Sequence, residues 1–211
     1  MHPYKRARFA VTDTFLATHN HMFIEEYPHT VPVDLCERMI AAFERDPRRK
    51  KSLVVVGDQW VEHKGRSGTA IQDPAKDSPE WEGYLEELAP AFESTAKDYA
   101  GKYRGFVQLA TLDEIYCTRP NIERVDPGQQ FDWHSDQSAS TSGRIIAGLL
   151  YLRTISEGGY TEFDIQQRRI QPEAGKIALF PPFWTHMHRG VSPVSEVKYV
   201  ISFFWSYVKP R

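Results

Sequence analysis

QQFDWHSDQSASTSGRIIAGLLYL, residues 129–152, holds two strand-like runs, Gln129 to His134 and Arg144 to Leu152, joined by a Ser- and Gly-rich connection. The same texture extends in both directions. Further strand candidates lie at Phe106 to Cys117, Tyr160 to Phe163, Arg168 to Pro172, Lys176 to Phe180 and Val197 to Tyr207. They are short and are separated by Gly, Pro, Asn and Ser. Many short strands punctuated in this way predict a sandwich or a barrel.

Upstream the pattern changes period. VDLCERMIAAFER, Val33 to Arg45, places Leu35, Met39, Ile40 and Phe43 at helical spacing, and Asp34 stands where it can cap the start. SLVVVGDQW then predicts a strand at Leu53 to Val56. Ser78-Pro79-Glu80 is a helix start, with Ser as N-cap and Pro at the first helical position. Trp81, Tyr84, Leu85, Leu88 and Phe92 follow at steps of three and four. Pro90 interrupts them, so a kink or two abutting helices is expected, with helical character resuming to about Tyr103. The whole reads as one domain, mainly β with flanking α-helices. Its helical part, 1–104, is expected to pack on one face of the β-structure of 105–208.

Bulk properties narrow the function classes. At 211 residues the chain suits one domain with a real core. Lys plus Arg is 26 and Asp plus Glu is 28, so no net positive field favours nucleic acid or an anionic membrane. The basic run RDPRRKK, Arg45 to Lys51, reads as a solvated helix end or loop. Cys36 and Cys117 have no metal or disulfide spacing and read as reduced thiols, consistent with a cytoplasmic protein. MHPYKRARFAVTDTFL lacks the apolar core of a signal peptide, and no window approaches eighteen apolar residues.

FDWHSD sets His134 and Asp136 two residues apart. On a strand such residues project from one face, so an imidazole and a carboxylate can reach one ion. A second imidazole must come from elsewhere, and WTHMHRG offers His186 and His188. Two His and one carboxylate on one face leave three coordination positions open, the arrangement of non-haem Fe(II) oxygenases. A zinc hydrolase would need a nearby general base, and no HExxH-type helix is present.

The segments PGQQFDWHSD, RIIAGLLYL, EGGYTEF, IQPEAGKIALFPPFW and HRGVSPVSEVKYVISFFW, in this order, resemble the prolyl-4-hydroxylase-like branch of the Fe(II)/2-oxoglutarate dioxygenase superfamily. YPHTVPVDLCERMI is similar to the opening segment of that family. The resemblance implies a double-stranded β-helix, or jelly roll, with Fe(II) at its open end and 2-oxoglutarate and O2 as co-reactants. It implies His134, Asp136 and His188 as both metal ligands and catalytic centre. His188 is preferred over His186 because Lys198 lies ten residues after it, where the family has a basic residue pairing the distal carboxylate of 2-oxoglutarate. Lysine in so apolar a run as VKYVISFFW calls for a partner. Tyr151, Tyr116 and Thr161 are implied as further cosubstrate contacts. Here Tyr160 stands where the family usually has Glu. His186 is left a supporting or substrate-contact role, Arg66 in GRSG reads as a solvent-facing loop residue with a substrate contact near the mouth as the alternative implied by the resemblance, and Trp133 as packing on the opposite face of its strand. Asp136 makes hydroxylation the default outcome, since related halogenases have a small residue there. The implied substrate is a small molecule, an amino acid or a peptidyl residue. The rival reading is a non-catalytic cupin-like metal-binding or sensor module, which would not need Lys198.

Overall fold

The computed structural model describes residues 22–52, 54–56, 59–61, 65–103 and 114–207. The strand candidate at Phe106 to Cys117 falls mostly outside them, as does Leu53. Fourteen strands and two helices occupy the described residues. Helix α1 is Val33–Arg45 and α2 is Pro79–Lys102. The strands are β1 Glu25–Tyr27, β2 Lys50–Lys51, β3 Val54–Val56, β4 Gln59–Val61, β5 Thr69–Gln72, β6 Tyr116–Cys117 and β7 Asn121–Val125. There follow β8 Phe131–His134, β9 Arg144–Tyr151, β10 Thr161–Phe163, β11 Arg168–Ile170, β12 Lys176–Phe180, β13 His188–Gly190 and β14 Lys198–Ser206.

Two antiparallel sheets make the jelly roll. The larger has the order β1-β12-β9-β14-β7-β5-β2, with β6 also on β14. The smaller runs β11-β10-β13-β8, and β3 pairs β4 separately. The mainly helical part expected over 1–104 carries more β-structure than the one strand predicted there. Strands β1, β2 and β5 come from the first half and complete the large sheet. Backbone groups at a sheet edge need partners, and these short strands supply them.

Strand β14 shows how the sequence builds two cores. Successive side chains alternate between faces. Tyr199, Ile201, Phe203 and Trp205 point to the helices and pack with Leu35, Met39, Phe43, Trp81, Leu88 and Phe92. Lys198, Val200, Ser202 and Phe204 point between the sheets, into the cavity. There Val200 and Phe204 join Tyr151, Phe163 and Phe180 in a smaller core. Each fully buried large apolar side chain contributes about 1.5–3 kcal/mol. Gly148 on β9 leaves room for the Phe203 ring, which a Cβ would strike. That ring stacks on Phe92 of α2 with centroids 3.9 Å apart.

Two helix expectations change. Pro32, not Asp34, is the N-cap of α1, and no side chain caps it; Asp34 lies inside the first turn, where its charge favours the helix N-terminus. Helix α2 starts after Ser78 as expected and continues as one helix through Pro90, so two abutting helices are ruled out. Trp81, Tyr84 and Leu88 before the proline and Phe92, Ala96 and Tyr99 after it are all buried. Burial of both halves in one core outweighs the backbone hydrogen bond that proline cannot make.

Candidate metal centre and cosubstrate cavity

His134 ends β8, and His188 begins β13 as its direct cross-strand partner. The ring centroids lie 4.3 Å apart. Strand β8 stops before Asp136, so the carboxylate is presented from the following turn rather than from the strand itself. That turn is held by one backbone and two side-chain donors, all to backbone carbonyls. Gln137 N–H donates to Pro182 O at 2.9 Å, Ser135 Oγ to the same oxygen at 3.1 Å, and Arg144 Nη1 to Asp136 O at 2.8 Å. Asp136 Oδ1 is 3.7 Å from His134 Nε2, and Oδ2 is 3.5 Å from His188 Nε2. The donor atoms of the three residues all lie within 4.8 Å of one another.

The chemistry of these donors suits a metal. His134 Nδ1 meets Asp132 O at 2.7 Å, and His188 Nδ1 meets His186 O at 3.0 Å. A carbonyl only accepts, so each Nδ1 carries a proton and each Nε2 is the atom that faces Asp136. Outer contacts of this kind fix the orientation of ligating imidazoles. Burial pushes the His188 imidazole down to about 4, helped by neighbouring His134, so it stays neutral and able to ligate. Two imidazole nitrogens and a carboxylate can hold Fe(II).

His186 is placed elsewhere. It is buried at the end of the short turn Trp184–His186, with Nε2 2.9 Å from Met22 O and Nδ1 2.9 Å from Thr185 Oγ1. Both nitrogens are committed to structure. Trp133 differs from its expected packing role: it is 40% exposed, lines the cavity and lies under the Arg189 guanidinium at 4.7 Å.

Behind the His-Asp-His group lies a cavity of about 370 Å³. Lys198 lines it and is 4% exposed. Among the described residues its ammonium has no hydrogen bond and no ion pair, and its Nζ lies 5.4 Å from the Tyr151 ring centroid. Burial pushes it down to about 8, with the Glu123 carboxylate pulling the other way. The Tyr151 hydroxyl, fully buried, meets Thr161 Oγ1 at 2.8 Å, and Thr161 lines the cavity. Tyr116 is not brought there. It pairs with Ser206 at the far end of β14, is exposed, and is not among the cavity-lining residues. Three lining residues were missed or misread in the sequence. Arg66 faces the cavity and ion-pairs with Glu123, and Arg144 lies over the Phe204 ring at 3.6 Å. The signal for Glu123 was its place in NIERV, two residues from Asn121 and Val125 on the same face.

Residues 120–206 match the sequence model of the 2OG-Fe(II) oxygenase superfamily. No curated protein sequence matches the chain. Its fold is similar to a Trichoplax adhaerens prolyl hydroxylase solved with a hypoxia inducible factor oxygen degradation domain peptide, at 15% identity and a TM-score of 0.68, over 90% of this chain and 86% of that one. A Burkholderia pseudomallei oxidoreductase of the 2OG-Fe(II) oxygenase family gives 15% identity and 0.65, over 97% and 95%. A Pseudomonas putida prolyl-4-hydroxylase gives 17% and 0.61, over 92% and 96%.

Proposed function

We infer that this chain, whose residues 120–206 match the 2OG-Fe(II) oxygenase model and include a His-Asp-His group, is an enzyme using Fe(II), 2-oxoglutarate and O2 that hydroxylates an unactivated C–H bond of a small molecule, an amino acid or a peptidyl residue. Fe(II), 2-oxoglutarate and O2 together supply the oxidising power, and succinate and CO2 are released. His134, Asp136 and His188 would hold the metal. Lys198 would pair the distal carboxylate of the cosubstrate, with the Tyr151–Thr161 hydroxyl pair beside it. We read the chain as one oxygenase unit acting in the cytoplasm. No helix among the described residues is long and apolar enough to cross a membrane. The Trichoplax relative's peptide complex supports the peptidyl alternative. A cavity of about 370 Å³ also suits a small ligand.

One observation carries the reading. The cavity that holds three convergent donors also holds a buried ammonium with no hydrogen-bonding partner among the described residues. A charge in that state calls for an anionic ligand, and a dicarboxylate that also reaches the metal meets the need. The chain's own work is positional. Carbonyl contacts at Asp132 and His186 aim the two imidazoles.

The test is succinate formation from 2-oxoglutarate by the Fe(II) protein with O2 and candidate substrates. His134→Ala, Asp136→Ala and His188→Ala are each expected to abolish it together with metal binding. Lys198→Ala should leave metal binding intact and weaken 2-oxoglutarate at least about a hundredfold, the scale of an unpaired buried charge. Metal binding without any succinate would favour a sensor module. Unchanged 2-oxoglutarate affinity in Lys198→Ala would remove Lys198 from the site.

A further inference from the structure

Glu123 and Lys198 occupy one face of adjacent strands. Glu123 is opposite Val200, and Lys198 is opposite Val125, so the two charged residues are diagonal neighbours across β7 and β14. Diagonal neighbours sit about 7–8 Å apart, within reach of long side chains. Each is 4% exposed. A buried carboxylate and a buried ammonium so placed would ordinarily close on each other, because each is costly to leave unpaired. Here they do not. The Glu123 carboxylate accepts from Arg66 Nη2, 57 residues away in the sequence.

Arg66 arrives from the opposite sheet. Its backbone bridges Phe131 of β8, and its guanidinium lies over the Phe131 ring at 4.5 Å. The flanking residues are tied to the same strand, with Asp132 N–H donating to Gly65 O at 2.6 Å and Ser67 N–H to Gln130 O at 2.9 Å. The loop is thus built to deliver one guanidinium to Glu123. Among Arg66, Glu123 and Lys198 there are two cations and one anion, so pairing Arg66 with Glu123 leaves one cation for an incoming anion.

We propose that Arg66 is a positioning residue for the cosubstrate: by holding Glu123 in an ion pair, it keeps the Lys198 ammonium open to the distal carboxylate of 2-oxoglutarate. This rests on the assignment of Lys198 to that carboxylate. Without Arg66, Glu123 becomes an internal competitor for Lys198 and a like charge beside the bound ligand.

The test is calorimetric titration of 2-oxoglutarate into the Mn(II)-loaded protein without substrate, with folding of each variant checked by thermal denaturation. Arg66→Met is expected to weaken binding at least about tenfold, the loss of one favourable charge arrangement. Glu123→Gln should bind within about threefold of the wild type or more tightly, because it removes the competitor. The double variant Arg66→Met/Glu123→Gln should also return to within about threefold. Unchanged affinity in Arg66→Met, with stability alone reduced, overturns the proposal. So does a double variant as weak as Arg66→Met, which would make Arg66 a direct ligand contact. If Arg66→Met does not fold, Glu123→Gln still decides, since a weakened affinity there contradicts competition. Lys198→Met separates the two levels. Wild-type affinity in Lys198→Met defeats the cosubstrate assignment itself, whereas lost affinity there with Arg66→Met unaffected defeats only the role given to Arg66.

Discussion

His186 and His188 are two residues apart and have opposite jobs. His188 Nε2 faces Asp136, whereas both nitrogens of His186 are spent on Met22 O and Thr185 Oγ1. His186→Ala is therefore expected to keep its metal, measured per chain after dialysis, and to lose about 1–2 kcal/mol in denaturant unfolding, as for a buried hydrogen-bonded side chain. Loss of metal in His186→Ala with retention in His188→Ala would reverse the ligand assignment. Lys198 gives a pH signature. In the ligand-free protein burial holds its pKa down at about 8, so it is charged below that pH and neutral above it. If Lys198 pairs the distal carboxylate as proposed, 2-oxoglutarate would bind the charged form and raise its pKa, so binding above pH 8 would take up a proton. Affinity for 2-oxoglutarate in the Mn(II) protein should be flat below about pH 8 and fall up to about tenfold per pH unit above it. Lys198→Arg, which stays charged, should lose that dependence. A flat profile in the wild type would contradict a buried ammonium at the cosubstrate.

At the scale of elements, each functional group depends on a regular feature of its strand or helix. The direct pairing of His134 with His188 comes from the β8–β13 register, which is interrupted before Gly190 meets Phe131. A one-residue slip would turn His188 away from the cavity. Helix α2 backs the sheet from outside through the stacked Phe92–Phe203 pair. Its Pro90 is exposed and lies inside the helix, so it costs a backbone hydrogen bond without contributing core packing. Pro90→Ala is expected to stabilise the protein by about 1–2 kcal/mol, less than the full helix-interior penalty of proline because the unfolded chain regains freedom. A lower unfolding midpoint in Pro90→Ala would mean that the proline shapes the helix to fit the sheet.

Across the whole molecule the site spans both sheets. His134 and His188 belong to the small sheet, and Lys198 to the large one. A ligand that touches the metal and Lys198 ties the two together. Mn(II) and 2-oxoglutarate added together should raise the thermal midpoint more than the sum of their separate effects. Each site held at 100 times its dissociation constant adds about 2.7 kcal/mol. A chelator should return the midpoint to the ligand-free value. Strictly additive shifts would argue that metal and cosubstrate bind independently, against a cosubstrate that reaches the metal.

What the sequence determined by itself is local. Short runs bounded by Gly, Pro, Asn and Ser marked the strand candidates Arg144 to Leu152 and Val197 to Tyr207, and the two-residue step from His134 to Asp136 set an imidazole and a carboxylate close together, whereas the ten-residue step from His188 to Lys198 carries meaning only through the family resemblance. Run length, punctuation and close spacing are properties of neighbouring positions, which local backbone geometry converts directly into structure. The tertiary structure alone decided that β1, β2 and β5 finish the large sheet, that Tyr116 lies away from the cavity, and that His186 binds backbone. It also decided that Arg66 reaches Glu123. Each of these depends on strand register and loop closure between residues far apart in the chain, and side-chain spacing carries no record of which distant partner the backbone will bring alongside.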